Sequence, residues 1–147
     1  MNKQLMFSSA KDDWTTPKYL FEQLNAEFHF TVDLCASEEN ALCSKYYTKT
    51  NDGMKAQLWG ERVFCNPPYG RSATSDWIKK CATSEADVCV MLIPARTDTK
   101  AFHEYIYGNA EIRFIKGRLK FGGAKNGAPF PSMIVIFRKN NEQKTND

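Results

Sequence analysis

The run VCVMLI, residues 88–93, is apolar at every position and has the length of a β-strand. A strand without a polar face is typical of the centre of a parallel sheet that helices cover on both sides. Apolar residues at helical spacing lie on either side of this run, with further short apolar runs between them. This alternation predicts an α/β domain with a parallel or mixed sheet and helices on both faces.

The remaining elements are predicted outward from this strand. We expect a helix that begins at Thr16-Pro17, where threonine can cap it and proline loses no needed N–H group. Four further strands are expected at 30–35, 62–65, 112–115 and 133–137. Two more helices are expected, one around residues 75–82 and one from residue 98 or 99 to Gly108.

Composition places the chain among ordinary soluble globular proteins. Its 147 residues carry a net charge of +3, which permits nucleic acid as a partner without requiring it. We expect a loose N-terminal segment at 1–11, one domain at 12–138 and a polar tail at 139–147. No apolar stretch approaches the roughly 20 residues that span a membrane, and no secretion signal is visible, so we expect a cytoplasmic protein. The five cysteines form no CxxC pair, which favours reduced thiols, and no metal is expected.

The apolar run at 63–65 leads directly into NPPYG at 66–70. Ligands of α/β sheets bind beyond the carboxyl ends of strands, where this segment is predicted to lie. Asn66 offers an amide oxygen, while Pro67 and Pro68 form a rigid loop without amide hydrogens. The Asn66 side-chain oxygen and the Pro67 carbonyl can accept hydrogen bonds from one amino group. Such acceptors localise the lone pair of an aromatic amine and stabilise the charge that forms as its nitrogen attacks a methyl carbon.

Tyr69 admits two interpretations. Its ring can stack on the planar base that carries the amine, in which case the ring matters and the hydroxyl does not. Alternatively, the segment is a turn in which Tyr69 fills a gap and its hydroxyl closes a buried hydrogen bond. The complete tetrapeptide at a predicted strand end favours the first interpretation.

The tetrapeptide resembles the (Asn/Asp/Ser)-Pro-Pro-(Tyr/Phe/Trp) motif of amino-methyltransferases that use S-adenosylmethionine. The whole chain looks most like the phage-encoded DNA N6-adenine methyltransferase (Dam-like) family, and the likeness runs from residue 12 to about residue 138. It is carried by DDWTTPKYLF, TVDLCASEENALCSKYYT, NDGMKAQLWGERVFCNPPYG, LIPARTDTKAFHEY and EIRFIKGRLKFGGAKNGAPFPSMIVIFR. The resemblance implies a compact Rossmann-like class I methyltransferase fold, S-adenosylmethionine as cofactor, and catalytic residues Asn66, Pro67, Pro68 and Tyr69.

The resemblance also implies cofactor-binding residues. The element Thr15, Thr16 and Pro17 matches the part of the family that holds the methionine end of the cofactor. Asp33 to Ala36, including Cys35, stands where the first cofactor strand ends. Asp52 matches the acidic residue that usually meets the cofactor's adenine amine.

One departure from the family pattern concerns the glycines. The usual Gly-x-Gly after the first strand is absent, and the chain reads ASEEN at 36–40. The backbone therefore cannot approach a cofactor as the glycine form permits. We expect side chains such as Glu39 or Asn40 to make that contact instead.

Cations interleaved with aromatic residues indicate a nucleic acid contact. The segment GRLKFGGAKNGAPFPS, residues 117–132, places Phe121 and Phe130 among cations, which suits phosphates and stacked bases. Two further arginines lie near predicted strand ends. The expected DNA-binding residues are therefore Arg71, Arg96, Arg118, Lys120 and Lys125.

These motifs together favour a site-specific DNA methyltransferase that modifies adenine, with a short or relaxed sequence preference. The adenine would have to leave the base stack to enter the site. Two alternatives remain open: the same chemistry on a protein glutamine or an RNA guanine amine, and a DNA-binding module of this fold without cofactor. The absent Gly-x-Gly favours the module, whereas the intact NPPY is an argument against it. The family implies a phage protein in a bacterial host or a prophage product, and the sequence leaves the oligomeric state open.

Overall fold

A computed structural model describes residues 14–139, with the side chain of Arg71 outside its described part. One sheet contains the strands Val32–Asp33 (β1), Arg62–Cys65 (β2), Val88–Pro94 (β3), Glu111–Phe114 (β4) and Ser132–Arg138 (β5). The α-helices span Lys18–Phe28 (α1) and Arg71–Thr83 (α2). A 3₁₀ turn spans Gly53–Lys55, and a π-helical turn spans Phe102–Ile106. The expected loose segment at 1–11 and nearly all of the expected tail lie outside the described residues.

The strand order is β1-β2-β3-β5-β4. β1 and β2 are parallel to β3, whereas β5 runs antiparallel to both of its neighbours, β3 and β4. Four strands therefore share one direction and one opposes them. The predicted mixed, mostly parallel sheet of an α/β domain is confirmed, and β3 is its central strand.

Alternate residues of the sheet enter two apolar clusters, one on each face. On one face Phe21, Leu24 and Phe28 of α1 pack against the even-numbered residues of β3. On the other face α2 and the π-helical turn pack against the odd-numbered residues of β3. Every residue of β3 is buried, as expected for a strand with helices on both sides.

Three predicted elements differ in extent. β1 has two residues rather than six. The Phe30 amide donates to the Asn25 side-chain oxygen instead of to a strand, and a bend begins at Leu34. α2 begins at Arg71, before the expected Ser75 or Asp76. The helix expected after residue 98 is observed largely as the π-helical turn Phe102–Ile106. The Tyr107 amide donates to the Phe102 carbonyl five positions earlier, which is the hydrogen bond of a π-helix.

Thr16 does not cap α1, contrary to expectation. Pro17 occupies the N-cap position, and its carbonyl accepts from Leu20 and Phe21, both at 3.1 Å. The Thr16 hydroxyl is directed elsewhere, to the side chain of Asn66. This side chain therefore belongs to the site and not to the helix terminus.

The free edge of β1 is covered by the segment 45–47. Asp33 donates to the Lys45 carbonyl at 3.0 Å, and Tyr47 donates to the Asp33 carbonyl at 3.0 Å. The Ala36 amide continues the contact to the Tyr47 carbonyl at 2.9 Å.

Among the described residues, no helix is long and apolar enough to cross a membrane.

We predict that Gly53→Ala lowers the free energy of unfolding by about 1–3 kcal/mol. A Cβ at this position would meet the Leu34 carbonyl oxygen at 2.5 Å and the Tyr47 Cβ at 3.1 Å, so backbone must shift. Urea unfolding checks this, with Gly70→Ala as the control, since a Cβ there meets nothing within 4 Å. An equal effect of both substitutions would contradict the steric explanation.

Candidate active site

The NPPY segment begins where the pairing of β2 with β3 ends. The last pair in register is Cys65 with Met91, and prolines follow Asn66 at positions 67 and 68. Prolines have no amide hydrogen, so they cannot continue the ladder toward the next carbonyls of β3. The Leu92 carbonyl instead lies 3.0 Å from the Tyr69 hydroxyl, which can donate to it.

The Asn66 side chain is hydrogen-bonded at both ends. Its Nδ2 donates to the Trp14 carbonyl at 2.6 Å and to the Thr16 hydroxyl oxygen at 2.9 Å. Its Oδ1 accepts from the Tyr69 hydroxyl at 2.7 Å. A carbonyl has no hydrogen to donate, so the Trp14 carbonyl determines which end of the amide is nitrogen. One lone pair of Oδ1 is left for a further donor.

The ring of Tyr69 lies within an aromatic cluster. It is nearly parallel to the Trp14 ring, with centroids 6.4 Å apart, and contacts Phe121 and Phe130 edge-on at 6.0 and 5.7 Å. Burial, with a smaller effect of the Cys65 thiol, raises the pKa of the Tyr69 phenol well above its usual range. The hydroxyl therefore stays protonated and serves as a donor, so the interpretation in which it has no role is wrong.

A cavity of about 640 Å³ opens at the carboxyl ends of β1 and β2. Pro17 is the one expected cofactor residue that does not line it. The predicted site residues that line it are Thr15, Thr16, Asp33, Cys35, Ala36, Glu39, Asn40, Asp52, Asn66, Pro67 and Pro68. The structure thus places three separate segments and the NPPY loop around one space.

Asp33 is the most deeply buried carboxylate of this cavity, at 2% exposure. Its Oδ2 accepts from the Leu42 amide at 3.1 Å, whereas Oδ1 has no hydrogen-bond partner within the described part of the chain. Burial raises the pKa of this carboxyl to about 6, although the Leu42 and Cys35 amides lower it. An unpartnered buried oxygen that lines a cavity fits a ligand that brings an N–H or O–H donor.

The segment that replaces the glycines forms a compact turn. Ser37 donates its amide to Asn40 Oδ1 at 2.7 Å, and the Asn40 amide donates to the Ser37 hydroxyl oxygen at 3.2 Å. The Asn40 oxygen therefore closes the turn, and the exposed carboxylate of Glu39 lines the cavity beside it. Asp52 caps the 3₁₀ turn, since its Oδ1 accepts from the Met54 amide at 3.1 Å.

A second cavity, of about 480 Å³, lies beyond the end of β3. Tyr69 and Gly70 line it, so consecutive residues of the NPPYG segment face different cavities. Arg96 also lines the second cavity and is exposed, together with Asp98 and Lys100 of the same loop. The structure thereby places Arg96 on the same cavity wall as Tyr69 and Gly70 of the NPPYG segment.

Three other expected DNA-binding residues, Arg118, Lys120 and Lys125, line neither cavity. All three are exposed on the segment 117–132, where the Arg118 guanidinium lies 3.5 Å from the Ala128 carbonyl. Arg71 begins α2, but its side chain lies outside the described part of the structure. Phe121 is 3% exposed in the core and cannot stack on a base, so that expectation is wrong.

Sequence reasoning missed Trp14. Its carbonyl bonds Asn66, its ring contacts Tyr69, Phe121 and Phe130, and it lines the first cavity. The adjacent Thr15 carbonyl accepts from the Gly122 amide at 2.9 Å. This contact connects the strap formed by residues 14–16 to the basic segment, residues 117–132. The available signal was a tryptophan immediately before Thr-Thr-Pro. Trp77, Tyr47 and Lys49 also line the first cavity and were not predicted.

Comparison with known families matches the sequence of this chain to one of them. A sequence model described as "DNA N-6-adenine-methyltransferase (Dam)" matches residues 4–146. The chain belongs to this Dam family. The match covers the cavity residues and the NPPY segment alike, so the resemblance seen in the sequence is confirmed.

Two relatives of this Dam-family chain carry methyltransferase names. The "DNA N-6-adenine-methyltransferase" of Escherichia phage T1 is 32% identical over 156 aligned positions, which cover 89% of this chain and 64% of the phage protein. The "Putative methyltransferase YfdM" of Escherichia coli (strain K12) is 39% identical over 66 positions, which cover 40% of this chain and 71% of that protein. The chain therefore spans slightly less than two thirds of the phage T1 protein.

We predict that Tyr69→Phe lowers the free energy of unfolding by about 1–3 kcal/mol, because Asn66 Oδ1 and the Leu92 carbonyl lose their shared donor. Thermal and urea unfolding measure this. Tyr19→Phe is the matched control, since Tyr19 is 57% exposed. Equal stability of the two variants would show that the Tyr69 hydroxyl contributes nothing.

We predict that Asp33 makes stability fall as pH rises from 4 to 7. Folding raises the pKa of this carboxyl from 3.8 to about 6, so the folded state keeps the proton up to a higher pH than the unfolded state does. Relative to Asp33→Asn, the wild type should lose up to ~3 kcal/mol across this window. Glu27, Glu61 and Glu111, whose lowered pKa values have the opposite sign, are present in both proteins. Urea unfolding curves of both proteins that shift in parallel with pH would contradict the prediction.

Proposed function

We propose that this chain transfers a methyl group from S-adenosylmethionine to N6 of adenine in DNA. The observation that supports it best is the hydrogen-bonded Asn66 amide at a strand end, in a chain of the Dam family. Asn66 lines the first cavity, and Tyr69 of the same motif lines the second. Asn66, Pro67, Pro68 and Tyr69 are the proposed catalytic residues.

The sheet supports a Rossmann-like class I methyltransferase fold as the framework. Parallel strands β1, β2 and β3 direct their carboxyl ends to one edge, where such folds bind their ligands. The first cavity lies at that edge and is proposed to hold the cofactor. Its volume of about 640 Å³ is in the range of small-molecule sites.

The residues of the first cavity fit S-adenosylmethionine. Asp33 offers an unpartnered buried oxygen to a hydroxyl or amino hydrogen, and Glu39 and Asp52 place further carboxylates on the cavity wall. Thr15, Thr16, Cys35, Ala36 and Asn40 complete the proposed contacts. When bound, S-adenosylmethionine supplies an electrophilic methyl group. The chain itself needs no nucleophilic side chain or metal for such a reaction.

Asn66 and Pro67 are proposed to act on the acceptor amine. Both side-chain hydrogens of Asn66 are already bonded, so its oxygen faces the amine with a lone pair available. A hydrogen bond from the amine to this oxygen strengthens as positive charge develops on nitrogen. The Pro67 carbonyl is the proposed second acceptor on the same rigid loop.

The acceptor base is proposed to enter the second cavity, beside the Tyr69 ring. Adenine must leave the base stack to reach this depth. Arg96, exposed on the cavity wall, is a proposed phosphate contact, and the other proposed DNA contacts are Arg71, Arg118, Lys120 and Lys125. Recognition by a few loops supports a short or relaxed sequence preference.

To test the proposal, the protein is incubated with methyl-labelled S-adenosylmethionine, and the products are identified by mass spectrometry. DNA from a host without adenine methylation, RNA and protein are supplied as acceptors. Label recovered as N6-methyldeoxyadenosine supports the proposal. Label on a protein glutamine or an RNA guanine would establish the alternative acceptor. A folded chain that neither binds the cofactor in calorimetry nor transfers label would favour the alternative of a DNA-binding module without cofactor.

We predict that Asn66→Ala lowers the methylation rate about 10²–10³-fold, equivalent to about 2.7–4 kcal/mol, by analogy with the loss of an oxyanion-type contact. Cofactor affinity should stay within a few-fold, because Asn66 acts on the acceptor. Rapid-quench methylation assays and calorimetry on the same preparation measure the two quantities. Normal turnover by this variant would rule out the proposed role of the motif.

A further inference from the structure

The Asn66 side chain sits in a cradle made by the strap at residues 14–16. The Trp14 carbonyl is an acceptor at 2.6 Å from Nδ2, and the Thr16 hydroxyl oxygen is a second acceptor at 2.9 Å. Thr16 is buried, at 7% exposure, and its hydroxyl is not used to cap α1. Both contacts join residues at least 50 positions apart, so the fold brings them together for this one side chain.

We propose that the Trp14 carbonyl and the Thr16 hydroxyl select an amide at position 66 and orient its oxygen toward the acceptor amine. Thr16 is thus a positioning residue that acts through Asn66, beyond any contact with the cofactor. The inference deepens the proposed function, on which it rests for the identity of the incoming amine.

The cradle works by excluding the alternative orientation. Rotating the amide by half a turn would place Oδ1 2.6 Å from the Trp14 carbonyl oxygen, where two acceptors face each other without a hydrogen. It would also direct the NH₂ group toward the acceptor amine and remove the acceptor that the reaction needs. In the orientation that the Trp14 carbonyl selects, the Tyr69 hydroxyl donates to Oδ1.

The same geometry distinguishes asparagine from aspartate. An ionised carboxylate at position 66 has no hydrogen for the Trp14 carbonyl, so one of its oxygens would face that carbonyl unfavourably. A protonated carboxyl can donate to the Trp14 carbonyl and still present its other oxygen to the amine. The variant Asn66→Asp should therefore work only in its protonated form.

The groups near position 66 do not reproduce this behaviour. The raised pKa values of Tyr69 and Cys65 keep both protonated near neutral pH. Asp33, with a pKa of about 6, lines the same cavity and titrates near the lower end of the window. Cys35, Glu39 and Asp52 also line it. All are present in wild type and variant, so a ratio of the two activities at saturating cofactor isolates position 66.

The first experiment measures the ratio of the Asn66→Asp rate to the wild-type rate from pH 8 to pH 6. We expect the ratio to rise about tenfold for each unit by which the pH falls, because the protonated fraction of the carboxyl at position 66 of the variant rises. A ratio that is flat with pH, whether high or low, would overturn the selection of the amide.

The second experiment compares Thr16→Val with Thr16→Ser. Valine has the size of threonine but no acceptor, so kcat should fall about tenfold. Because Thr16 also lines the proposed cofactor cavity, kcat is measured at saturating cofactor, where weaker cofactor binding does not affect it. Serine keeps the hydroxyl and should recover most of kcat. A Thr16→Val variant that weakens cofactor binding and keeps kcat would make Thr16 a cofactor ligand only and overturn the proposal.

A third readout needs no methylation. In ¹⁵N-labelled protein, the Asn66 side-chain NH₂ signals are those that disappear in Asn66→Asp. We expect their exchange with water to be slow in the wild type and in Thr16→Ser, and at least several-fold faster in Thr16→Val. Equal exchange in all three proteins would overturn the cradle. A protected amide in a chain without methyl transfer would instead refute the proposed function and leave the cradle standing.

Discussion

Two successive prolines at the end of β2 are the constraint on which the site depends. They remove the amide hydrogens by which β2 would continue to pair with β3, immediately after the pair Cys65 and Met91. The Leu92 carbonyl is then left for a side chain, and the Tyr69 hydroxyl approaches it at 3.0 Å. That contact anchors the fourth residue of the motif, and the same hydroxyl reaches back to Asn66. The loop is thus held by side chains where a regular strand would be held by its backbone.

The N-terminal strap connects this loop to its surroundings. Trp14 packs its ring against Tyr69 and two phenylalanines of the basic segment, while its carbonyl receives the Asn66 amide. Backbone contact between Thr15 and Gly122 adds a second connection to that segment. The first cavity, the NPPY loop and the segment 117–132 therefore share contacts with the strap, and a change in the strap affects all three.

In the first cavity, burial and backbone hydrogen bonds have opposite effects on the pKa of Asp33. The Asp33 carboxyl is stabilised by backbone amides, but burial outweighs them and raises its pKa to about 6. At neutral pH the carboxyl is therefore ionised in the folded state at a cost in stability, and its Oδ1 has no hydrogen-bond partner among the described residues. In the proposed function, the ligand supplies a donor to this oxygen, so the cavity stores a cost in stability that binding relieves.

The sequence by itself determined the α/β class, the central strand and the strand that precedes the motif. Unbroken apolar runs predicted β3, and β2 was placed at the residues that the structure shows, because strand patterning is local. The sequence also predicted that the motif lies at a strand end. The candidate cofactor segments surround one cavity because the parallel strands end at the same edge of the sheet. Only the tertiary structure decided what Thr16, Tyr69 and Phe121 do. Thr16 bonds Asn66 rather than capping a helix, the Tyr69 hydroxyl joins two strand ends, and Phe121 is core. The Thr16–Asn66 and Tyr69–Leu92 contacts join residues 50 and 23 positions apart in the chain, and no local pattern of propensity or spacing encodes such contacts.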